Sequence, residues 1–433
     1  MDQFSVDGEE EGNLQGLDVA PALIAVHPDQ NSVAVAVGPD LLVVDLQKCC
    51  KVQLRDESLN PFHKDCIRAL RYGCGGKLLM SGGDDKLVKV WSSESWRCIS
   101  SLNSEKRVSS VAVSSDGRYV CFADKFGVVW LAEIDANNGN ELLVDQKPIP
   151  LLAHYCSIIT SLEFSPNDKF IVSADRDFKI RVTVFPKNPL NGAHEIQSFC
   201  LGHTEYISSL SFITSSERSN GFILSGSGDS TVRLWDVVNG SLLDTFDVRK
   251  TATSEWSRNN DDCSAVTDLC ALPAFHLVAV AIQSFQGILL LSMDFTSSSL
   301  NIITTVSIPG EKFIPTNLCA TSEGLLWMIT GISKLNGSTD NSFARLKILS
   351  GFKQGVMPQN QCGLVVLEDE EVPASKILIK ELQGSMCIDA KVVCQASEAV
   401  QTAISNMLVK KNYSLEKREI RKKTRNDKKS QQV

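Results

Sequence analysis

Residues 81–91 read SGGDDKLVKVW, and residues 224–235 read LSGSGDSTVRLW. Each opens on small residues, turns at an Asp, and enters a strand whose apolar side chains alternate with others up to a final Trp. Alternation with a period of two marks a strand that turns one face to a core. Two more stretches keep the pattern, CFADKFGVVW at 121–130 and VSADRDFKIRVT at 172–183. In all four, an aspartate (Asp85, Asp124, Asp177 or Asp229) stands six residues before the strand end at Trp91, Trp130, Thr183 or Trp235. Those ends are 39, 53 and 52 residues apart in chain order. A recurrence near ~40–45 residues, built of short strands, is the signature of a β-propeller of WD repeats.

A second set of residues keeps register with the first. His63, His154 and His203 precede their aspartates by 22, 23 and 26 residues, and Ser81, Ser173 and Ser225 precede them by four. In WD-repeat blades that resemble this pattern, His, Ser, Asp and Trp form one hydrogen-bonded chain. It satisfies the imidazole N–H and the buried indole N–H together. His63, Ser81, Asp85 and Trp91 make a full set, as do His203, Ser225, Asp229 and Trp235. The blade ending at Trp130 lacks His and Ser, and the next has Thr183 in place of Trp. A hydrolase needs one His/Ser/Asp triad and gains nothing from several, so repetition makes these residues structural.

Seven blades are expected. They run over 20–55, 63–102, 107–150, 154–199 and 203–247, then from Val266 to Ile308, then from Phe313 through GLLWMIT and ARLKIL, with GLVVLE completing the last. The domain reading is an acidic tail over 1–19, a propeller over 20–395 and a basic tail over 396–433, both tails disordered. Polar insertions at 249–263, 332–343 and 350–361 should form loops on the propeller's faces.

Composition limits the function. Hydrophobic residues make up 43% and charged residues 22%, as in ordinary globular chains. No run approaches the ~18–20 apolar residues of a membrane span, so no membrane role is expected. The fourteen cysteines include no CxxC pair, which removes the usual zinc spacings and points to small core residues in a reducing compartment. No GxGxxG, P-loop, GxSxG or HExxH occurs. Hence no catalytic residue, metal or cofactor site is expected.

The charge is segregated. The chain carries 43 Lys+Arg against 51 Asp+Glu, a net of −8. From Lys410 onward there are ten basic residues, among them Arg421, Lys422, Lys423, Arg425, Lys428 and Lys429, against Glu416, Glu419 and Asp427. That gives the tail +7 and leaves −15 on the rest. A basic tail on an acidic body suggests contact with a polyanion such as RNA, or a nuclear import signal. The nucleus is the expected compartment.

Blade four carries a more particular text. Residues 173–182 read SADRDFKIRV and residues 198–205 read SFCLGHTE. This pairing resembles the WD-repeat, non-catalytic subunit of the eukaryotic tRNA (guanine-N7)-methyltransferase, over about residues 20–390. The resemblance implies a propeller with no cofactor site. It would bind and stabilise a separate class I, S-adenosylmethionine-dependent methyltransferase, and the heterodimer would form N7-methylguanosine at position 46 of the tRNA variable loop. On blade four, Asp177 reads as the ordinary turn Asp. Asp175, Arg176, Lys179 and Arg181 read as partner-facing, because they place extra charge on a blade that has lost its Trp. A generic WD-repeat scaffold, such as an adaptor in a ubiquitin-ligase or chromatin complex, is the alternative.

Overall fold

The computed structural model describes residues 20–56, 62–134, 147–154, 157–215, 218–251, 264–283, 285–308, 313–333, 343–352, 363–383 and 398. Both terminal tails, including Arg421, Lys422, Lys423, Arg425, Lys428 and Lys429, lie outside the described residues, as does most of each polar insertion.

Seven four-stranded antiparallel sheets follow one another along the chain, over 23–51, 67–103, 108–153, 159–201, 207–247, 266–307 and 317–366. Within each sheet the strands lie side by side in chain order. The first strand of every sheet packs on the first strand of the next, which closes a ring around an axis. The seven-bladed, all-β reading is therefore borne out.

The apolar pattern explains the stacking. Second strands such as Ser32–Val37, Leu78–Gly83, Phe170–Asp175 and Leu277–Ile282 are buried at every position, since a neighbouring blade covers each face. Outer strands such as Ile196–Leu201 are mostly open to solvent. The core is consequently a series of seams between blades. In one seam Phe170, Val172, Ile180 and Val182 of blade four meet Ile207, Leu210 and Trp235 of blade five. Burial of such side chains contributes about 1.5–3 kcal/mol each.

The ring closes between blades seven and one. The Ala22 N–H donates to the Gly331 carbonyl (2.8 Å) and the Ile24 N–H to Asn317 Oδ1 (2.8 Å). A helix over Ser375–Gln383, absent from the sequence reading, completes this joint. The outer strand of blade seven is only two residues long, Val365–Val366. Val372, Leu378 and Leu382 pack onto Leu346 and Ile348 of blade seven and Val35 and Val44 of blade one, covering apolar surface that a longer strand would otherwise cover.

Candidate partner interface on blade four

Two blades hold complete polar chains. In blade two, His63 Nδ1 lies 2.9 Å from Asp85 Oδ2 and Nε2 lies 2.8 Å from Ser81 Oγ, which accepts the Trp91 indole N–H at 3.2 Å. In blade five the equivalent distances for His203, Asp229, Ser225 and Trp235 are 2.8, 2.7 and 2.8 Å. Trp91 and Trp235 are fully buried. Burial alone would push the Asp85 and Asp229 carboxyls up. Their hydrogen bonds to His63 and His203 nevertheless hold both below the ordinary carboxylate value. Burial pulls His203 below its usual value, against the opposing pull of Asp229.

Blade four is built differently from its sequence reading. His154 Nδ1 lies 2.9 Å from Asp175 Oδ2, not from Asp177, and Nε2 lies 2.7 Å from Ser173 Oγ. Asp175 is 2% exposed, and its other oxygen accepts the backbone N–H groups of Asp177 and Lys179. It is therefore the aspartate of the polar chain and is not available to a partner. The reason is register. Asp175 ends the second strand, where blade two has Gly83, and Asp177 occupies the turn place of Asp85. Blade three shows the same shift. Asp124 ends its strand and, with Phe122 in the Ser place, takes the Trp130 indole N–H directly at 2.9 Å. Trp130 pairs with Phe122, as Lys89 pairs with Ser81 and Arg181 with Ser173, so Trp130 is not the counterpart of Trp91. Equal spacing had aligned residues that the strands place two positions apart.

Of the remaining predicted residues, Lys179 and Arg181 share one face of blade four, whereas Arg176 lies near Tyr206, just before the first strand of blade five. Register places Lys179 opposite Leu201 and Arg181 opposite Phe199 on the outer strand. Lys179 is exposed, Leu201 is 60% exposed and Phe199 43%. Arg181 is half-buried, with its Nη1 donating to the Ala153 carbonyl of blade three at 3.2 Å. Its Nε is buried without a hydrogen-bond partner, and burial pulls its guanidinium below the usual pKa. No described carboxylate lies within ion-pair distance of Lys179 or Arg181. The counterparts of Arg181 differ: Lys89 pairs with Asp56 in the interior, and Arg233 sits 3.7 Å from Asp229. Arg176 lies in the adjoining turn, half-buried beside Asp177, its N–H bonded to the Ile158 carbonyl. Thr183 is fully buried in the Trp place, and its hydroxyl has no partner.

Two cations flanked by exposed apolar side chains can receive a carboxylate-bearing apolar element. The sequence reading missed Phe199 and Leu201. Their signal was two large apolar residues of one parity in an outer strand, with small Cys200 taking the inward place. Among the described residues, one trio elsewhere, Asp65, Cys66 and Asp84, brings possible metal ligands together, but Arg68 already bonds Asp84 at 2.7 Å.

Fold and polar chains define a WD40-repeat β-propeller, and residues 58–92 match the WD domain, G-beta repeat family. More specifically, residues 140–340 match the tRNA methyltransferase TRM82 WD40 domain. A zebrafish (Danio rerio) protein named tRNA (guanine-N(7)-)-methyltransferase non-catalytic subunit wdr4 is 33% identical over 267 residues, 61% of this chain and 60% of the relative. The Dictyostelium discoideum protein of that name is 25% identical over 70% of this chain and 64% of the relative, and the Xenopus laevis one is 26% identical over 73% and 76%. The chain thus spans about three fifths of the first curated relatives it matches. The resemblance read from blade four is borne out, and these relatives are named as non-catalytic subunits. Among solved structures, U3-55K superposes with a TM-score of 0.58 at 16% identity, covering 76% of this chain and 95% of that one. The RRP9 WD40 repeats give 0.56 at 17%, covering 72% and 87%. These two show the fold alone.

Proposed function

We propose that the chain is the non-catalytic subunit of a tRNA (guanine-N7)-methyltransferase. It binds a separate class I, S-adenosylmethionine-dependent catalytic subunit and holds it in an active conformation, so that the heterodimer forms N7-methylguanosine at position 46 of the variable loop. The observation that carries this reading is the half-buried Arg181. Its counterparts Lys89 and Arg233 each have a carboxylate of the chain, Asp56 from the segment before blade two and Asp229 of blade five, whereas no described carboxylate reaches Arg181. A partner carboxylate reaching Arg181 and Lys179, with apolar side chains on Phe199 and Leu201, would complete it. The names of the relatives support the same assignment. In the cell the complex is placed in the nucleus, and the basic tail over 410–433 contacts tRNA through its phosphates.

The test uses the purified chain, the catalytic subunit and an unmodified tRNA transcript. The chain alone should neither bind S-adenosylmethionine nor methylate the transcript. Added to the catalytic subunit, it should raise methylation by favouring the competent conformation. Cofactor binding by the chain alone, or unchanged methylation on mixing, overturns the proposal.

A further inference from the structure

On the face opposite the turns of blade four, the loops of blades one and two enclose a cleft of about 290 Å³. Its walls include His27 and Asp29 from the loop after the first strand, Asp45 from the third, and Lys77, Glu94 and Trp96 from blade two. Ligand pockets usually start near ~300 Å³, so this one suits a side chain better than a whole cofactor.

The walls are complementary to a cation. Asp29 and Glu94 are exposed, and neither has an ion-pair partner among the described residues. Asp45 accepts the backbone N–H groups of Gln47 and Lys48, with Lys48 Nζ at 3.4 Å. With Asp45 already engaged by Lys48, two open carboxylates, Asp29 and Glu94, face one lining cation, Lys77. Burial lowers the pKa of buried His27, and Asp29 opposes this only in part. Its Nδ1 accepts the Asp29 N–H at 3.1 Å, which fixes Asp29 at the mouth. The half-buried Trp96 adds an aromatic wall, and a Lys or Arg against an indole face gains about 0.5–1 kcal/mol at an exposed site.

Such contacts are weak one at a time. Exposed ion pairs contribute about 0–1 kcal/mol each, so a free basic peptide would bind poorly, whereas a tethered one has an effective concentration of about millimolar. The chain carries its own basic segment. The helix Ser375–Gln383 ends beside the cleft: Glu381 bonds Lys51 Nζ at 2.6 Å, and the preceding residue, Cys50, pairs with the cleft residue Asp45. From Gln383 to Lys410 is 27 residues, able to span up to about 90 Å at ~3.3 Å per residue.

We infer that this cleft is a binding site for a Lys or Arg side chain, and that its occupant is the chain's own basic segment, 410–433. A polyanion would compete for the same side chains, so the cleft tempers the tail's affinity for nucleic acid. The inference does not depend on which partner blade four takes.

Zero-length carbodiimide cross-linking of the full-length chain, read by peptide mass spectrometry, tests it. The Lys51–Glu381 pair is the internal control for the chemistry. Links from lysines of 410–429 to Asp29 or Glu94 are expected, within single chains when isotopically light and heavy protein are mixed. They should be lost in 0.5 M salt (roughly a 4–5 Å screening length). The doubly substituted D29N/E94Q chain should bind an unmodified tRNA transcript about 2- to 5-fold tighter, as expected for release of one such pair. Tail links spread over the body without preference, mixed-isotope links to the cleft, or no tail links while Lys51–Glu381 forms would each overturn the proposal. Unchanged tRNA affinity in the substituted chain would do the same.

Discussion

Blades two and four place a cation at the same point of the same strand, and they treat it in opposite ways. Lys89 is fully buried, pairs with Asp56, and lies beside a Trp91 that closes the polar chain. Arg181 bonds one backbone carbonyl of the preceding blade, leaves Nε unmatched, and lies beside Thr183, whose hydroxyl is unmatched too. Two buried polar groups without partners are costly in an isolated fold. Blade two is finished within the chain, whereas blade four gives up internal bonding at the place where Phe199 and Leu201 also face solvent. A fold tolerates such a deficit where another molecule supplies the missing groups.

Breaking the finished blade should have the largest effect. Lys89→Met strips Asp56 of its cation in the interior and should cost about 3–5 kcal/mol in urea unfolding. Arg181→Met removes a charge that has no counter-ion, so stability should stay within about 1 kcal/mol of the parent. Similar losses at the two positions would erase the contrast between the blades. Next in size, Asp175→Ala should destabilise by about 1–3 kcal/mol, because it takes the acceptor from His154. Asp177→Ala should do much less, which ranks the two aspartates by structural role.

Acidification sharpens the comparison from the side of the closed chains. The folded pKa of His203 is lowered, so its contribution is full above the unfolded value of ~6.5 and is lost as pH falls through the folded value. Asp85 and Asp229, also lowered, act above ~3.9 and lose their contributions in more acidic solution. The urea midpoint should therefore fall from pH 7 to pH 5, and His203→Asn should flatten that slope. A midpoint that rises on acidification would contradict the assignment. The smallest effect belongs to Thr183→Val. Removing an unmatched buried hydroxyl should leave melting unchanged or raise it slightly, and a loss above about 1 kcal/mol would mean the hydroxyl has a partner.

Much of this was legible in the sequence, for identifiable reasons. The small-residue turns, the alternating third strands and their recurrence along the chain yield seven blades without reference to any contact. The sets His63–Ser81–Asp85–Trp91 and His203–Ser225–Asp229–Trp235 were readable because each role keeps its place in the strand. Asp175 was misread because identical six-residue spacings hid a two-residue shift of the His-bonding aspartate, from the turn place of Asp85 to the end of the second strand. The helix Ser375–Gln383 was missed because its need arises from a two-residue outer strand in blade seven, a feature of the closed ring. The lack of a counter-ion at Arg181 was equally hidden, since its blade-two counterpart depends on Asp56, 33 residues away in sequence from Lys89.

The most direct measurement is calorimetric titration of the catalytic methyltransferase subunit into the purified chain carrying Arg181→Glu, with thermal melting recorded on the same sample. Placing a carboxylate where the partner's carboxylate is proposed to sit should cost at least the ~2–5 kcal/mol of a desolvated charge pair. That is a weakening of about thirtyfold or more, with melting within a few degrees of the parent. Parental affinity in a folded Arg181→Glu chain would contradict the account and move the interface off blade four.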